Sequence, residues 1–465
     1  MKNKKYDIII IGSGFAGIAS ANILAGKGLS ILMIDENFHV GGQLLRKIPQ
    51  ELGINKKYKP DYVKKIGNAF VNNLKRDDIE ILNNTSVIGI YDNNEILIEI
   101  EKKRVASIHY EVILFTTGAR ERYLPFKGWT IPGVFSAGMS QVLMKSSGVL
   151  PSRDVVVGGS GLFLFSAAYE FLNNGAKVRS VLESTGIADK VKMLPVLLHN
   201  FSKIMEGARY LGKIGSSGVP IRFNTRIIEA RGNGSLEEIV IGKTDRNGKL
   251  ITGKEKIIKV GGFAYSYGFV PNIELPNLAG CKISFKKELG GWVVDVNENM
   301  ETSIPGVFCA GEVTGVGGAL KSVNEGETAS LSILERFEKN GSIHAKKNKL
   351  LKERKHHLNF AKYFNTLYGI RDEEISEIPD ETIICRCEDV KMGDIREAVS
   401  NGFISPGALK TSVRAGMGNC QGRTCGPIIY NLLGSVSGIE GKNFTLFSNR
   451  PPVKPVKISS LINRS

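Results

Sequence analysis

Residues 8–17 read Ile8-Ile9-Ile10-Ile11-Gly12-Ser13-Gly14-Phe15-Ala16-Gly17, and they constrain the fold more than any other stretch. Four branched aliphatics suit a parallel strand buried on both faces. The G-x-G-x-x-G that follows predicts a turn into a helix over Ile18–Gly26. Gly12 permits the tight turn, Gly14 lets a pyrophosphate approach the backbone, and Gly17 lets helix and strand pack closely. A helix N-terminus here offers free N–H groups to phosphate. A second strand, Ser30–Ile34, ends in Asp35-Glu36, where an acid can meet ribose hydroxyls. The stretch reads as a dinucleotide-binding β-α-β unit.

The chain has 465 residues, enough for two to four domains. Its 42% hydrophobic and 23% charged content is that of a globular protein. Net charge is +16, with lysines and arginines scattered; the densest runs are Lys346-Lys347-Asn348-Lys349 and Lys352-Glu353-Arg354-Lys355. Without a basic helix interleaved with aromatics, this argues for solubility or an acidic protein partner, not for nucleic acid. No secretion signal or membrane-length apolar run is read, so a cytoplasmic location with reduced cysteines is expected. Four of the six cysteines crowd the end of the chain, which argues for metal rather than disulfides. The six histidines form no H-x-x-x-H pair or Ser/His/Asp set and read as structural.

After the second strand comes Val40-Gly41-Gly42-Gln43-Leu44. It resembles the flavoproteins with two dinucleotide-binding domains, in which this segment borders FAD. No cysteine pair follows and no C-x-x-C lies in the second domain, so electrons are not expected to leave through a protein disulfide. Residues 48–110 predict a helix (Asp61–Leu74) and a β-meander (Ile79–Leu82, Ser86–Tyr91, Glu95–Ile100). Residues 111–120 read as a buried strand ending in Thr116-Thr117-Gly118, similar to the flavoprotein ATG turn with Thr116 in place of Ala. The continuation is Ala119-Arg120-Glu121-Arg122, Leu124-Pro125-Phe126-Lys127-Gly128-Trp129, then Ile131-Pro132-Gly133-Val134. It closely resembles the A-type subunits of the opine oxidase, hydrogen cyanide synthase and dye-linked proline dehydrogenase group. Taken alone it reads as a crossover linker.

A second strand and turn spans Asp154–Leu164, with Gly159 and Gly161 in the first two fingerprint places and Leu164 in the third. The strand Lys177–Leu182 ends in Glu183. This turn reads equally as a pyridine-nucleotide site and as retained scaffold; NAD(P) or another nucleotide is the ligand it could take. Ser303-Ile304-Pro305-Gly306-Val307-Phe308-Cys309-Ala310-Gly311-Glu312 resembles the closing FAD motif, which implies that Glu312 serves the ribityl chain. Gly315, Gly317 and Gly318 lead into a helix from Ala319. Cys281 and Cys309 read as buried thiols.

Near the end, Cys385-Arg386-Cys387 precedes Cys420-Gln421-Gly422-Arg423-Thr424-Cys425. Two close cysteine pairs suit a [2Fe–2S] cluster or Zn²⁺, and the spacing is unlike a zinc ribbon. The Gly-rich stretch 414–419 between them can present N–H groups to cluster sulfurs. The segment closely resembles the bacterioferritin-associated-ferredoxin-like (BFD-like) domain of the same A-type group, which implies [2Fe–2S]. The extended Pro-rich tail at Arg450–Pro455 is also typical of that group.

Together these imply an α/β chain: two Rossmann-like dinucleotide-binding domains, like a disulfide-reductase flavoprotein, plus a small α-rich C-terminal [2Fe–2S] domain. The expected bounds are 1–125 with 261–335 for FAD, 126–260 for the second domain, 336–380 for a basic helical connector, and 381–465 for the cluster domain and tail. The FAD candidates are Gly12, Gly14, Gly17, Asp35, Glu36, Gly42, Gln43, Thr117, Gly118, Gly311 and Glu312. The second-nucleotide candidates are Gly159, Gly161 and Glu183, and the metal ligands Cys385, Cys387, Cys420 and Cys425. The resemblance implies an oxidoreductase subunit relaying electrons from an amino or imino acid (proline, opine or glycine type), partnered by a separate flavin-containing B-type subunit. The alternative is a stand-alone NAD(P)H-dependent reductase feeding its own cluster. A scaffold protein with vestigial sites is the non-enzymatic reading. No residue identifies itself as a catalytic base.

Overall fold

The computed structural model describes residues 4–46, 62–74, 76–187, 189, 201–338, 343–437 and 446–463. The opening run forms β1 (Lys4–Ile11), and the helix behind the glycine turn spans Phe15–Leu24. That helix starts three residues earlier than expected, because Gly14 itself takes the extended backbone of its N-cap. β2 (Ile31–Ile34), β3 (Glu80–Leu82), β4 (Thr85–Tyr91), β5 (Glu95–Ile100) and β6 (Arg104–Phe115) complete this part of the sheet. Their order is β3-β2-β1-β6-β5-β4, and a seventh strand, Val307–Cys309, pairs with β6. β1 is parallel to β2 and β6, with Ile8–Ile11 facing Ile31–Ile34 on one side and Val112–Phe115 on the other.

The period-two rule decides where the isoleucines go. Ile8 and Ile10 enter a core with Ala16, Ala21 and Leu24 of the first helix and with Ala329, Ile333 and Leu334. Ile9 and Ile11 enter another, with Val87, Ile96 and Ile98. Ile8, Ile9 and Ile10 have no exposed surface, and each contributes about 2 kcal/mol by burial. The expected meander needs correction. Ile79–Leu82 gives β3, parallel to β2, so it is an edge of the main sheet. The meander is β4, β5 and the first half of β6, which is twelve residues long because β5 pairs with Arg104–His109. The predicted helix near residue 61 is Tyr62–Asn72; Asp61 itself, like His199, lies outside the described residues.

A second sheet is wholly parallel: Ile221–Phe223, Lys177–Glu183, Asp154–Gly159, Gly262–Ser266 and Val134–Ser136, in that order. The strand Gly262–Ser266 lies past the expected return to the first domain at 261, because pairing with Asp154–Gly159 holds it in this sheet. Helix Phe163–Asn173 follows the second glycine turn. Helix Ala319–Glu338 returns to the first sheet and lies on the first helix. Its approach is close: a Cβ on Gly326 would fall 2.3 Å from the Ala16 carbonyl oxygen. Ser20 Oγ donates to the Gly326 carbonyl at 2.9 Å.

The expected connector is a 25-residue helix, Ile343–Leu367, packed along Ala319–Glu338. The last domain is small and helical (Met392–Ser400, Pro406–Val413, Gly426–Ser437) with a short hairpin at Ile383–Lys391. It shares one core with the second sheet: Trp129, Phe263 and Tyr265 join Ile384, Ile395, Ile428 and Leu433. Among the described residues no helix is long and apolar enough to cross a membrane.

Candidate functional site

The first glycine turn has the geometry its sequence requires. Gly12 sits at φ +106°, and a Cβ there would strike the Thr116 carbonyl oxygen at 2.4 Å. A Cβ on Gly17 would lie 2.0 Å from the Gly12 carbonyl oxygen. Gly14 is different: nothing lies within 4 Å of its Cβ position, so the backbone there is open to a ligand. Gly42 lies alongside, its Cβ position 2.9 Å from Gly14 Cα. Thr116, the departure from the usual Ala, donates its hydroxyl to Gly12 O at 2.7 Å and ties the two strand ends together.

Asp35 is 7% exposed and accepts from the Ser13 N–H and hydroxyl, both at 2.6 Å, and from Asn37. It braces the turn from the end of β2. Glu36 is exposed and paired with Lys454 of the tail. The structure therefore separates two acids that the sequence presents together. Gln43 accepts from Arg46 Nε at 2.8 Å, and Arg46 also reaches Asn37 Oδ1 at 3.1 Å. Thr117 and Gly118 are pinned by Asn272, through Thr117 Oγ1 to Asn272 O at 2.8 Å and Asn272 N to Gly118 O at 3.0 Å.

Gly311 (φ +85°) and Glu312 close the site. Glu312 Oε1 accepts the N–H groups of Gly317 (3.0 Å) and Gly318 (2.6 Å), so it shapes the turn into helix Ala319–Glu338. Beneath this turn is an ion cluster that sequence reading missed. Lys321 and Glu325 have no exposed surface. Lys321 Nζ donates to Gly311 O (2.8 Å), Thr314 Oγ1 (2.7 Å) and Glu325 Oε2 (2.7 Å). Arg354 of the connector helix donates to Glu325 Oε1 at 2.8 Å. Burial drives Lys321 below its ordinary range. Burial opposes the Glu325 charge too, but Lys321 and Arg354 hold its carboxyl below the usual value. The i, i+4 spacing of Lys321 and Glu325 was visible, but it looks like any surface pair.

The second turn matches the first at its leading glycine and departs from it at the next, since Gly14 is extended at φ −72°. Gly159 takes φ +129° and Gly161 φ +110°. The Gly161 Cβ position lies 3.7 Å from the Tyr368 ring and 3.8 Å from Phe364. Ser160 Oγ donates to the Tyr368 carbonyl at 3.2 Å. Glu183 is fully buried and accepts from Gly161 N at 3.2 Å and from Thr185 at 3.0 Å. Leu164 is buried in the core. The end of the connector helix thus covers the place where a phosphate would meet the turn.

The four late cysteines come together as two pairs. Cys385 and Cys425 are buried and share an S–H···S contact; Cys387 and Cys420 form the other. The Cys425 thiol lowers Cys385 to about 5, helped by the N–H groups of Gly416, Glu388 and Cys387. Its partner Cys425 is pushed up by the same contact and by burial. Burial raises Cys387. It opposes Cys420 as well, but the Thr424 N–H and hydroxyl and the Gly422 N–H bring that thiol down. Among the described residues no three Cys, His, Asp or Glu side chains are placed to hold one ion. Two cysteine pairs among N–H donors supply the four thiolates that a [2Fe–2S] cluster would take.

The segment after the Thr117 turn docks this domain. Trp129 Nε1 donates to Ile383 O at 2.6 Å, and Arg386 lies over the Trp129 ring at 5.3 Å. Lys127 pairs with Glu381 at 3.2 Å, and Arg120 Nε donates to Arg423 O at 3.3 Å. The crossover linker is also the cradle of the cluster domain. Cys281 and Cys309 are buried in the core that holds Ile9 and Ile11, apart from the two cysteine pairs.

Residues 6–330 match the family described as pyridine nucleotide-disulphide oxidoreductase, and residues 383–435 match a BFD-like [2Fe-2S] binding domain. The first match implies FAD, and the second a [2Fe–2S] cluster. The chain is 29% identical to the HcnB component of the hydrogen cyanide synthase of Pseudomonas aeruginosa, over 98% of each chain. It is 27% identical to the A component of the opine oxidase of Rhizobium meliloti, over 98% of this chain and 87% of the relative. Among solved structures, L-proline dehydrogenase from P. horikoshii superposes with a TM-score of 0.72 at 20% identity, covering 99% of this chain and 80% of that one. The chain belongs to the pyridine nucleotide-disulphide oxidoreductase family, as a flavin-dependent oxidoreductase that carries a BFD-like [2Fe–2S] domain at its C-terminal end.

Proposed function

We propose that this chain is the A-type component of a heteromeric amino- or imino-acid dehydrogenase, working in the cytoplasm beside a flavin-containing B-type component. The relatives named as subunits of hydrogen cyanide synthase and opine oxidase support the assembly. The observation that carries the electron-relay role is the contrast between the two glycine turns. One is open at Gly14, while the other lies under Phe364 and Tyr368. A chain that takes electrons from NAD(P)H needs the second turn clear.

Bound FAD supplies two-electron chemistry, and a [2Fe–2S] cluster passes electrons singly. The chain's own residues position these groups. Gly12 and Gly17 would shape the turn and Gly14 would seat the pyrophosphate, with Asp35 bracing their loop. Lys321, Glu325 and Arg354 fix the Gly311–Gly318 turn. Cys385, Cys387, Cys420 and Cys425 would ligate the cluster, and N–H groups from 416 to 424 would temper its thiolates.

The test uses the native protein with and without its co-expressed partner. The expected result is a spectrum with flavin bands and a broad iron–sulfide shoulder, unchanged by NADH. Bleaching by proline or an opine should require the partner. Bleaching of the chain alone by NADH would overturn the relay reading in favour of a stand-alone reductase. Zinc in place of iron would remove the cluster.

A further inference from the structure

A cavity of about 280 Å³ opens between the hairpin Ile283–Val294, the crossover strands at Ala119–Glu121 and Phe269–Pro271, and the cluster domain. Gln421, next in the chain to Cys420, is part of its wall. Phe285, Trp292 and Tyr430 line it and pack edge to face, with ring centroids 5.4 Å and 6.1 Å apart. The Trp292 indole N–H is buried with no hydrogen-bond partner among the described residues.

The wall carries three cations, Arg120, Arg122 and Lys287, and two carboxylates, Glu274 and the exposed Asp372. Arg120 is neutralised by Glu274 at 2.8 Å. Arg122 is not: its Nε donates to Tyr267 O at 2.8 Å and Nη2 reaches Tyr368 O at 3.5 Å, but it has no ion-pair partner among the described residues. Glu374 lends it opposite charge without bonding to it. Lys287 stands exposed at the rim, also without an ion pair among the described residues. A guanidinium drawn from water and left without a paired counter-ion is costly unless an anion completes it. Neither the flavin turn nor the cluster uses Arg122.

We propose that this cavity binds a small organic anion, its acidic head on Arg122 and Lys287 and its ring-sized apolar body against Phe285, Trp292 and Tyr430. Bidentate geometry suits Arg122 to a carboxylate or a phosphate monoester. The site lies one residue from a cluster ligand, so occupancy would be felt at the iron–sulfur centre. The proposal stands apart from the relay reading, because binding is measured without turnover.

The chain has two tryptophans, and Trp129 is buried elsewhere against Ile383. Fluorescence of the native holoprotein is therefore titrated with benzoate, phenyl phosphate and neutral benzamide. Saturable quenching by at least one anion is expected, with benzamide weaker by about tenfold or more, as for loss of a charged hydrogen bond. The two anions distinguish a carboxylate head from a phosphate head. Trp292→Phe should abolish the quenching, while calorimetry still detects binding. Arg122→Met should weaken the anion by about tenfold and leave benzamide unchanged. Should Arg122→Met fail to fold, the rim variant Lys287→Ser and the neutral probe test the same charge. No saturable binding, equal affinity for benzamide, or affinity unchanged in both charge variants overturns the proposal.

Discussion

The two glycine turns of this chain start alike, at Gly12 and Gly159, then differ in backbone at Gly14 and Gly161 and in what lies on them. Both follow a buried parallel strand, both open on a glycine at positive φ, and both are answered by a buried acid at the end of the next strand: Asp35 in one, Glu183 in the other. At the first, Gly14 faces open space and Gly17 lets the helix lie against Gly12. At the second, Leu164 fills the third place and the connector helix lays Phe364 and Tyr368 over Gly161. The same helix serves both turns. Its Arg354 reaches Glu325 beneath the Gly311 turn, and its last residues close the other site. A dinucleotide fingerprint thus states what a backbone can do; a segment two hundred residues away decides whether it does it.

The largest effect should come from the buried ions. Lys321→Met leaves Glu325 with one cation and removes the donors to Gly311 and Thr314, at a cost of about 3–5 kcal/mol. Thermal melts with and without added FAD would check this. The pH dependence follows from the depressed Glu325 carboxyl. Its stabilisation is complete above the ordinary carboxylate range near ~4.3, and is lost as pH falls through the lower folded value. Melts of the wild type between neutral pH and acid should steepen there, and those of Glu325→Gln should lack that component.

Next come matched substitutions in the turns. Gly17→Ala forces a Cβ onto the Gly12 carbonyl, costs about 3 kcal/mol and should abolish flavin content, read from the absorbance of purified protein. Gly161→Ala meets only ordinary contacts, although its positive φ costs about 1–2 kcal/mol, and it should leave flavin content unchanged. Equal flavin loss in both would erase the distinction between the turns. The Cys385→Ser variant should lose the iron–sulfide shoulder and keep the flavin bands, separating the cluster from the first turn.

What was legible in the sequence is what local chemistry writes. The Ile8–Gly17 stretch announced its strand, turn and helix because burial, φ and packing act within ten residues. The cysteine pairs were legible because a metal needs thiolates whatever the fold. The parallel pairing of Glu80–Leu82 was not, since a short apolar strand looks alike beside either neighbour. Phe364 lies in a basic helix and Tyr368 just past its end, and the sequence there gives no hint of the turn they cover. Lys321, Glu325 and Arg354 read as surface charge until helices Ala319–Glu338 and Ile343–Leu367 are laid together. Arg120 and Trp129 were noticed as family wording, but their contacts with Arg423 and Ile383 depend on a domain folded three hundred residues later.

The smallest effects test the adjacent acids Asp35 and Glu36. Both stand where a ribose acid is expected, yet only Asp35 turns inward to hold Ser13 and Asn37. Asp35→Ala removes a buried acceptor from the Ser13 N–H, costs about 1–3 kcal/mol and should lower FAD content. Glu36→Ala breaks an exposed pair with Lys454, worth under about 1 kcal/mol and weakened by salt. Its melting temperature and flavin content should match the wild type at high ionic strength. A flavin loss in Glu36→Ala equal to that in Asp35→Ala would mean that FAD draws Glu36 away from Lys454. The first turn would then bind through an acid that the free protein keeps at its surface, and the brace at Asp35 would be scaffold alone.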